Sequence, residues 1–256
     1  MKKKEKKRSG FLKRMYDIRT DHYFQRRNAP ALPVETMAAN LKQLPDEFWG
    51  LYAFESDPIK GKIPMEERLR LTAVCISCGR EYARIALAEC EGNVRDLAQQ
   101  LGIEVKYLPR PQTAAMEGSR VLFARYLPHG RIEIYTDNLD RMKRLSAHSG
   151  LSGILPADPA DLLLAHEIFH YYEELHHDRL PTENERIQLS SIPWISNRSR
   201  IQCLSEIAGM QFAKELLGLD FNPFLFDVVF TYNYDTQASF DLYDMIMELA
   251  GTCGFR

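Results

Sequence analysis

From Asp158 to His177 the chain runs through twenty residues with no glycine and one proline, and that proline stands second. Asp158 is a good N-cap and Pro159 suits the first helical position. Leu162, Leu163, Ala165, Ile168, Phe169 and Tyr172 then recur at spacings of three and four, giving one broad apolar stripe. The spacing predicts a buried amphipathic helix over 160–177, and any fold has to be built around it. His166 and His170 stand four apart on that helix. They therefore lie one turn above each other on the same face, where both imidazoles can reach one metal ion.

The run His166-Glu167-Ile168-Phe169-His170 spells H-E-x-x-H. In that pattern two histidines hold zinc and the glutamate takes a proton from water. The pattern is short, and a core helix with two incidental histidines would also contain it, so its context carries part of the argument. A catalytic zinc site normally takes three protein ligands and leaves a fourth position for water. Downstream, 196–217 reads as a second long helix, with Ile201, Leu204, Ile207, Ala208, Met210, Phe212, Leu216 and Leu217 as its apolar face. Gly218 is placed to stop it. Glu206 stands inside this helix among Ser205, Ile207, Ala208 and Gly209. A carboxylate buried there needs a cation beside it, and a metal would provide one. The alternative places Glu206 on the solvated edge of the helix.

His176 competes for the third ligand position, because it follows His166 by ten residues, as in H-E-x-x-H-x-x-G-x-x-H. That pattern uses its glycine to turn the chain back toward the metal. Here the position is Glu173, a good helix former. If the helix continues, six residues rotate His176 by about 600° from His170, off the ligand face. His176 and His177 are then expected at an exposed helix end, where their partial charge suits the dipole.

The segment Glu206-Ile207-Ala208-Gly209-Met210-Gln211-Phe212-Ala213-Lys214-Glu215-Leu216-Leu217 resembles the E-x-x-A-N-x-F-A-x-x-L-L signature of the ImmA/IrrE metallopeptidases. The likeness spans roughly 81–217. Upstream, 93–101 reads as a short helix, 102–107 as a strand and 121–135 as a hairpin leading to the H-E-x-x-H helix. The chain departs from the family at Ala208 (a frequent second acidic residue), Gly209 (alanine), Met210 (a frequent asparagine) and Phe169 (a small residue, often glycine), which marks a divergent member. The resemblance implies a zinc site of His166, His170 and Glu206, with Glu167 as the base. It also implies intracellular proteolysis of a protein substrate. Several family members cleave helix-turn-helix repressors of the Xre type, releasing stress-response or mobile-element genes. Tyr126, Tyr171 and Tyr172 are candidate donors to the oxyanion.

In the hairpin, Pro128-His129-Gly130 forms the turn and the second strand alternates, with Ile132 and Ile134 inward and Arg131, Glu133 and Tyr135 outward. An edge strand there could pair with an extended peptide; an ordinary surface hairpin would read the same. Cys75 and Cys78 form a C-x-x-C with no second pair to match it, and Cys90, Cys203 and Cys253 stand alone. The stretch 65–91 is helical in pattern, so the pair is expected as core. Five cysteines fit reduced thiols.

Residues 1–30 hold eleven Lys or Arg against three acidic residues, a net of +8 in a chain whose total is −2. Such an end could meet nucleic acid or an acidic partner, or remain a solvated tail. Phe11, Leu12, Met15, Tyr16 and Ile18 hint at a docking helix, with Pro30 and Pro33 marking a linker. No apolar run approaches the ~18 residues of a membrane span, and none follows the basic start as in a signal peptide. A soluble cytoplasmic protein is expected. The aromatic stretch 221–253 is expected as core, ending in a helix over 237–249. The division expected is a basic, partly disordered tail and linker over 1–64, a zincin-like metallopeptidase domain over 65–220, and a helical extension packed on it over 221–256. The fold class expected is α+β and zincin-like, with a small antiparallel or mixed sheet packed on the two ligand-bearing helices and extra helices around them. A rival function keeps this fold without the enzyme: a regulator binding protein or nucleic acid through its basic tail.

Overall fold

Prolines mark where the helices begin. Pro33, Pro45 and Pro64 are the N-cap residues of α1 (Val34–Leu41), α2 (Asp46–Phe54) and α3 (Met65–Glu89). The computed structural model describes residues 32–90, 93–109, 123–148, 151, 154, 158–189 and 197–255. The basic tail, the apolar residues between Phe11 and Ile18, and Val121, Leu122 and Ser196 lie outside them. Much of 32–64, expected as linker, is therefore helical, closing with a 3-10 turn at Lys60–Lys62. Proline fixes φ and lacks an N–H, so in the sequence a helix start and a linker look alike.

Val34, Met37, Ala38 and Leu41 bury one face of α1, while α2 is apolar on nearly all sides and buried accordingly. Their partners come from the other end of the chain. The Phe48 ring meets Phe255 at 5.8 Å, Trp49 meets Phe224 at 6.3 Å, and the Tyr52 hydroxyl donates to Asp227 at 2.9 Å. The late segment thus shares one core with α1 and α2.

The middle of the chain builds the sheet. Asn93 and Asp96 form a capping box at the start of α4 (Val94–Gln100). Then come β1 (Glu104–Leu108), β2 (Ala124–Leu127) and β3 (Arg131–Tyr135). The order is β1-β3-β2, with β1 parallel and β2 antiparallel to β3, so the sheet is mixed. His129 and Gly130 both adopt a φ of 70°, which turns the chain tightly between β2 and β3. Ile132 and Ile134 are fully buried, as the alternation requires. Tyr135 is buried as well, against expectation. Its hydroxyl donates to Glu133 at 3.1 Å, and Arg125 Nε donates to the same carboxylate oxygen at 2.7 Å, so the second face carries a polar ladder.

Beyond α5 (Thr136–His148), α6 (Pro159–Leu175) is the helix predicted over 160–177, with Asp158 Oδ1 accepting from the Ala160 N–H at 3.1 Å. The short α7 (Pro181–Asn184) leads to β4 (Arg186–Gln188), which pairs antiparallel with β5 (Arg198–Arg200). Strand β5 takes residues assigned to the next helix, so α8 (Cys203–Leu216) starts seven residues later than predicted. A distant residue fixes that start: Asp57 Oδ2 accepts from the N–H groups of Gln202 and Cys203 at 2.7 and 3.0 Å. The end is as predicted, since Gly218 adopts φ 63° while Leu219 N–H reaches Lys214 O at 2.9 Å. A 3-10 turn (Pro223–Leu225), α9 (Phe226–Tyr232) and α10 (Thr236–Thr252) complete an α+β fold that is mostly helical.

Helices α3 and α8 touch backbone to backbone. A Cβ added at Gly79 would lie 2.5 Å from Ala208 O, so only glycine allows this approach. Cys75 and Cys78 are buried on the same helix α3, and burial pushes both thiols up, Cys78 to about 12. They are core residues. No helix among the described residues is long and apolar enough to cross a membrane.

Candidate metal centre

Helix α6 and the first turn of α8 bring three buried side chains together. His166 Nε2 and His170 Nε2 face each other at 3.2 Å, and Glu206 Oε2 lies 3.5 Å from His166 Nε2. One ligand atom from each residue falls within 4.8 Å of the others. Two atoms bound at ~2.0–2.1 Å to one tetrahedral ion sit about 3.3 Å apart. The two measured separations bracket that value, and two imidazoles with one carboxylate are a donor set suited to zinc and several other divalent ions. The residues present therefore fit a metal ion.

Local sequence explains how each ligand is held. The four-residue step sets His166 above His170 on α6. Gly209 of α8 leaves room for the His166 ring, since a Cβ there would meet Cε1 at 3.0 Å and Nδ1 at 3.1 Å. A glycine that departs from the signature has a steric reason at this position. Asp57 anchors the end of α8 from which Glu206 projects.

No protein-family model, curated protein or solved structure matches the chain.

Glu173, whose expected part was only to keep the helix going, is fully buried beneath the cluster. Its Oε2 accepts from His170 Nδ1–H at 2.8 Å and from the Ser205 hydroxyl at 2.5 Å. Donation from Nδ1 turns the Nε2 of His170 toward the other ligands. Burial alone would raise the Glu173 carboxyl, but the bond and charge of His170, then Ser205 and Thr182, hold it well below the carboxylate range. Burial likewise opposes a charged His170, yet Glu173 foremost, with Glu167 and Glu206, raises the imidazole. The sequence signal was a glutamate three residues after the second histidine, on the same helix face.

Glu167 is buried beside the ligands. Burial pushes its carboxyl up to about 7, with His170 pulling it down and Glu206 pushing it up. The Tyr126 backbone amide adds a small lowering influence from β2. The Tyr135 N–H bonds Phe123 O at 2.8 Å, so alternation along the pair turns the Ala124 and Tyr126 backbone groups away from β3, toward the outer edge of β2. The Tyr126 amide that acts on Glu167 lies on that edge.

The hydroxyls of Tyr126 and Tyr172 are engaged elsewhere. Tyr126 donates its hydroxyl to Glu174 Oε2 at 2.7 Å and accepts from the Gly130 N–H at 3.1 Å, tying the hairpin turn to α6. Tyr172 donates to Glu89 on α3 at 2.8 Å. Tyr171 packs against the turn at Gly130. His176 caps α6, sits half-buried between Tyr82 and Tyr172, and shares a 2.9 Å hydrogen bond with the Tyr82 hydroxyl. It is no part of the cluster, though it is less exposed than expected; His177 is exposed.

Proposed function

We propose that this chain is a zinc-dependent endopeptidase of the ImmA/IrrE kind, with a zincin-like core, that hydrolyses a peptide bond in a protein substrate. The observation that carries the reading is the junction of His166, His170 and Glu206 with a buried Glu167 beside them. Zinc held by the three ligands supplies Lewis acidity to the scissile carbonyl and to the attacking water. Glu167 accepts the proton of that water and returns it to the nitrogen of the leaving amine. Its seclusion from bulk solvent favours a carboxyl able to take and give a proton near neutrality. The outward-facing backbone groups of Ala124 hold an extended substrate segment along the β2 edge by main-chain hydrogen bonds. A helix-turn-helix repressor of the Xre type is the substrate class favoured by the resemblance.

The test is incubation of the zinc-loaded full chain with a diverse peptide library and with candidate repressors, cleavage being read by mass spectrometry. Cleavage by wild type that disappears in Glu167→Gln, while zinc content stays the same, supports the proposal. No zinc-dependent cleavage, together with nucleic-acid or protein binding that survives removal of zinc, supports the non-enzymatic regulator instead.

A further inference from the structure

We infer that Glu173 and Ser205 form a positioning pair that sets metal affinity by fixing one ligand from each helix through a single carboxylate; the inference rests on the zinc reading of the site. Glu173 follows His170 by one helical turn and is sealed from solvent, so its charge must be met inside the protein. Its Oε2 meets it twice, taking the Nδ1–H of His170 at 2.8 Å and the hydroxyl of Ser205 at 2.5 Å. The first bond fixes the tautomer and ring plane of a ligand on α6. The second holds α8 at the residue immediately before Glu206, so the rotation of that helix, and with it the carboxylate ligand, is referred to the same oxygen. Ser205 Oγ lies only 3.3 Å from His170 Nδ1, which makes the three groups one buried knot between the helices. In the first turn of a helix a serine ordinarily bonds nearby backbone, but Asp57 already caps this end, leaving the Ser205 hydroxyl to cross to α6.

The experiment measures zinc affinity of the metal-stripped full chain by competition with a chromophoric chelator, beside the melting temperature of each metal-free variant. Glu173→Gln should weaken zinc roughly 10- to 100-fold, as loss of an outer carboxylate partner does. Ser205→Ala should weaken it less, and Ser205→Thr, which keeps the hydroxyl, should restore it. The double variant Glu173→Gln/Ser205→Ala should match Glu173→Gln alone, because Ser205 acts through Glu173. If Glu173→Gln fails to fold, the Ser205→Ala and Ser205→Thr pair decides. Lower metal-free stability with unchanged zinc affinity in all variants would show a structural role only and overturn the inference while leaving the zinc site standing. Wild-type protein that takes up no zinc would overturn both.

Discussion

Replacing Gly209 with alanine separates stability from metal affinity. In the middle of a helix, Gly→Ala ordinarily stabilises by about 1 kcal/mol. At Gly209 the new methyl would stand 3.0 Å from His166 Cε1, 3.1 Å from its Nδ1 and 3.5 Å from Phe169 Cδ1. Carbon atoms rest about 3.5–4.0 Å apart, so the ring has to give way by roughly 0.5 Å. Metal–ligand distances tolerate only about 0.2 Å. The crowding should consume the propensity gain, leaving metal-free stability within about 1 kcal/mol of wild type. Zinc affinity should fall at least about tenfold, because His166 is displaced from its place opposite His170. Urea unfolding of the metal-free protein and chelator competition measure the two quantities. A variant stabilised by the full helix gain and binding zinc as wild type does would refute the steric account of this glycine. Gly79→Ala gives the contrast. Its methyl would meet a backbone oxygen at 2.5 Å, which no rotamer change relieves, so that variant should lose about 2 kcal/mol or more.

Asp57→Ala should cost about 1–2 kcal/mol in urea unfolding, since it removes the acceptor for two N–H groups at the head of α8. Zinc affinity should fall with it as Glu206 loses its anchorage; an unchanged melting temperature would speak against the cap. Asp46 contributes to acid stability. Burial opposes its ionisation, but hydrogen bonds from Lys214 and Asn222 and the charge of Lys214 outweigh this and hold the carboxyl below its ordinary value of 3.8. Because the folded value is depressed, its stabilisation is present above the unfolded value and fades as pH falls through the lower, folded one. Asp46→Asn should therefore lower stability near neutral pH, by removing the charge that Lys214 and Asn222 meet, and show a shallower loss in acid, an identical acid slope being the contrary result.

What the sequence made legible follows from local physics. Periodicity marked α6 and the apolar face of α8, a four-residue step put two imidazoles on one face, and Gly218 ended its helix where a left-handed residue was needed. The harder features depend on partners far away in the chain. Asp57 caps a helix 145 residues later, so nothing near Gln202 announces where α8 begins. Glu173 looked like a helix former because its partners, a histidine one turn back and a serine on another helix, become visible only when the helices meet. Pro33 looked like linker punctuation because the helix it caps is short and finds its core against residues near the C-terminus. Tyr135 broke the simple alternation because the face it shares with Glu133 and Arg125 carries a hydrogen-bonded ladder.

X-ray absorption at the zinc edge of the metal-loaded protein tests the central claim most directly. About one zinc per chain, with two imidazoles and a carboxylate oxygen at ~2.0–2.1 Å and no sulfur, is the expected first shell, and Glu206→Ala should lose the oxygen and weaken binding. Sulfur scattering from any of the five cysteines, or a zinc shell unaltered in His166→Ala and Glu206→Ala, would contradict the assignment.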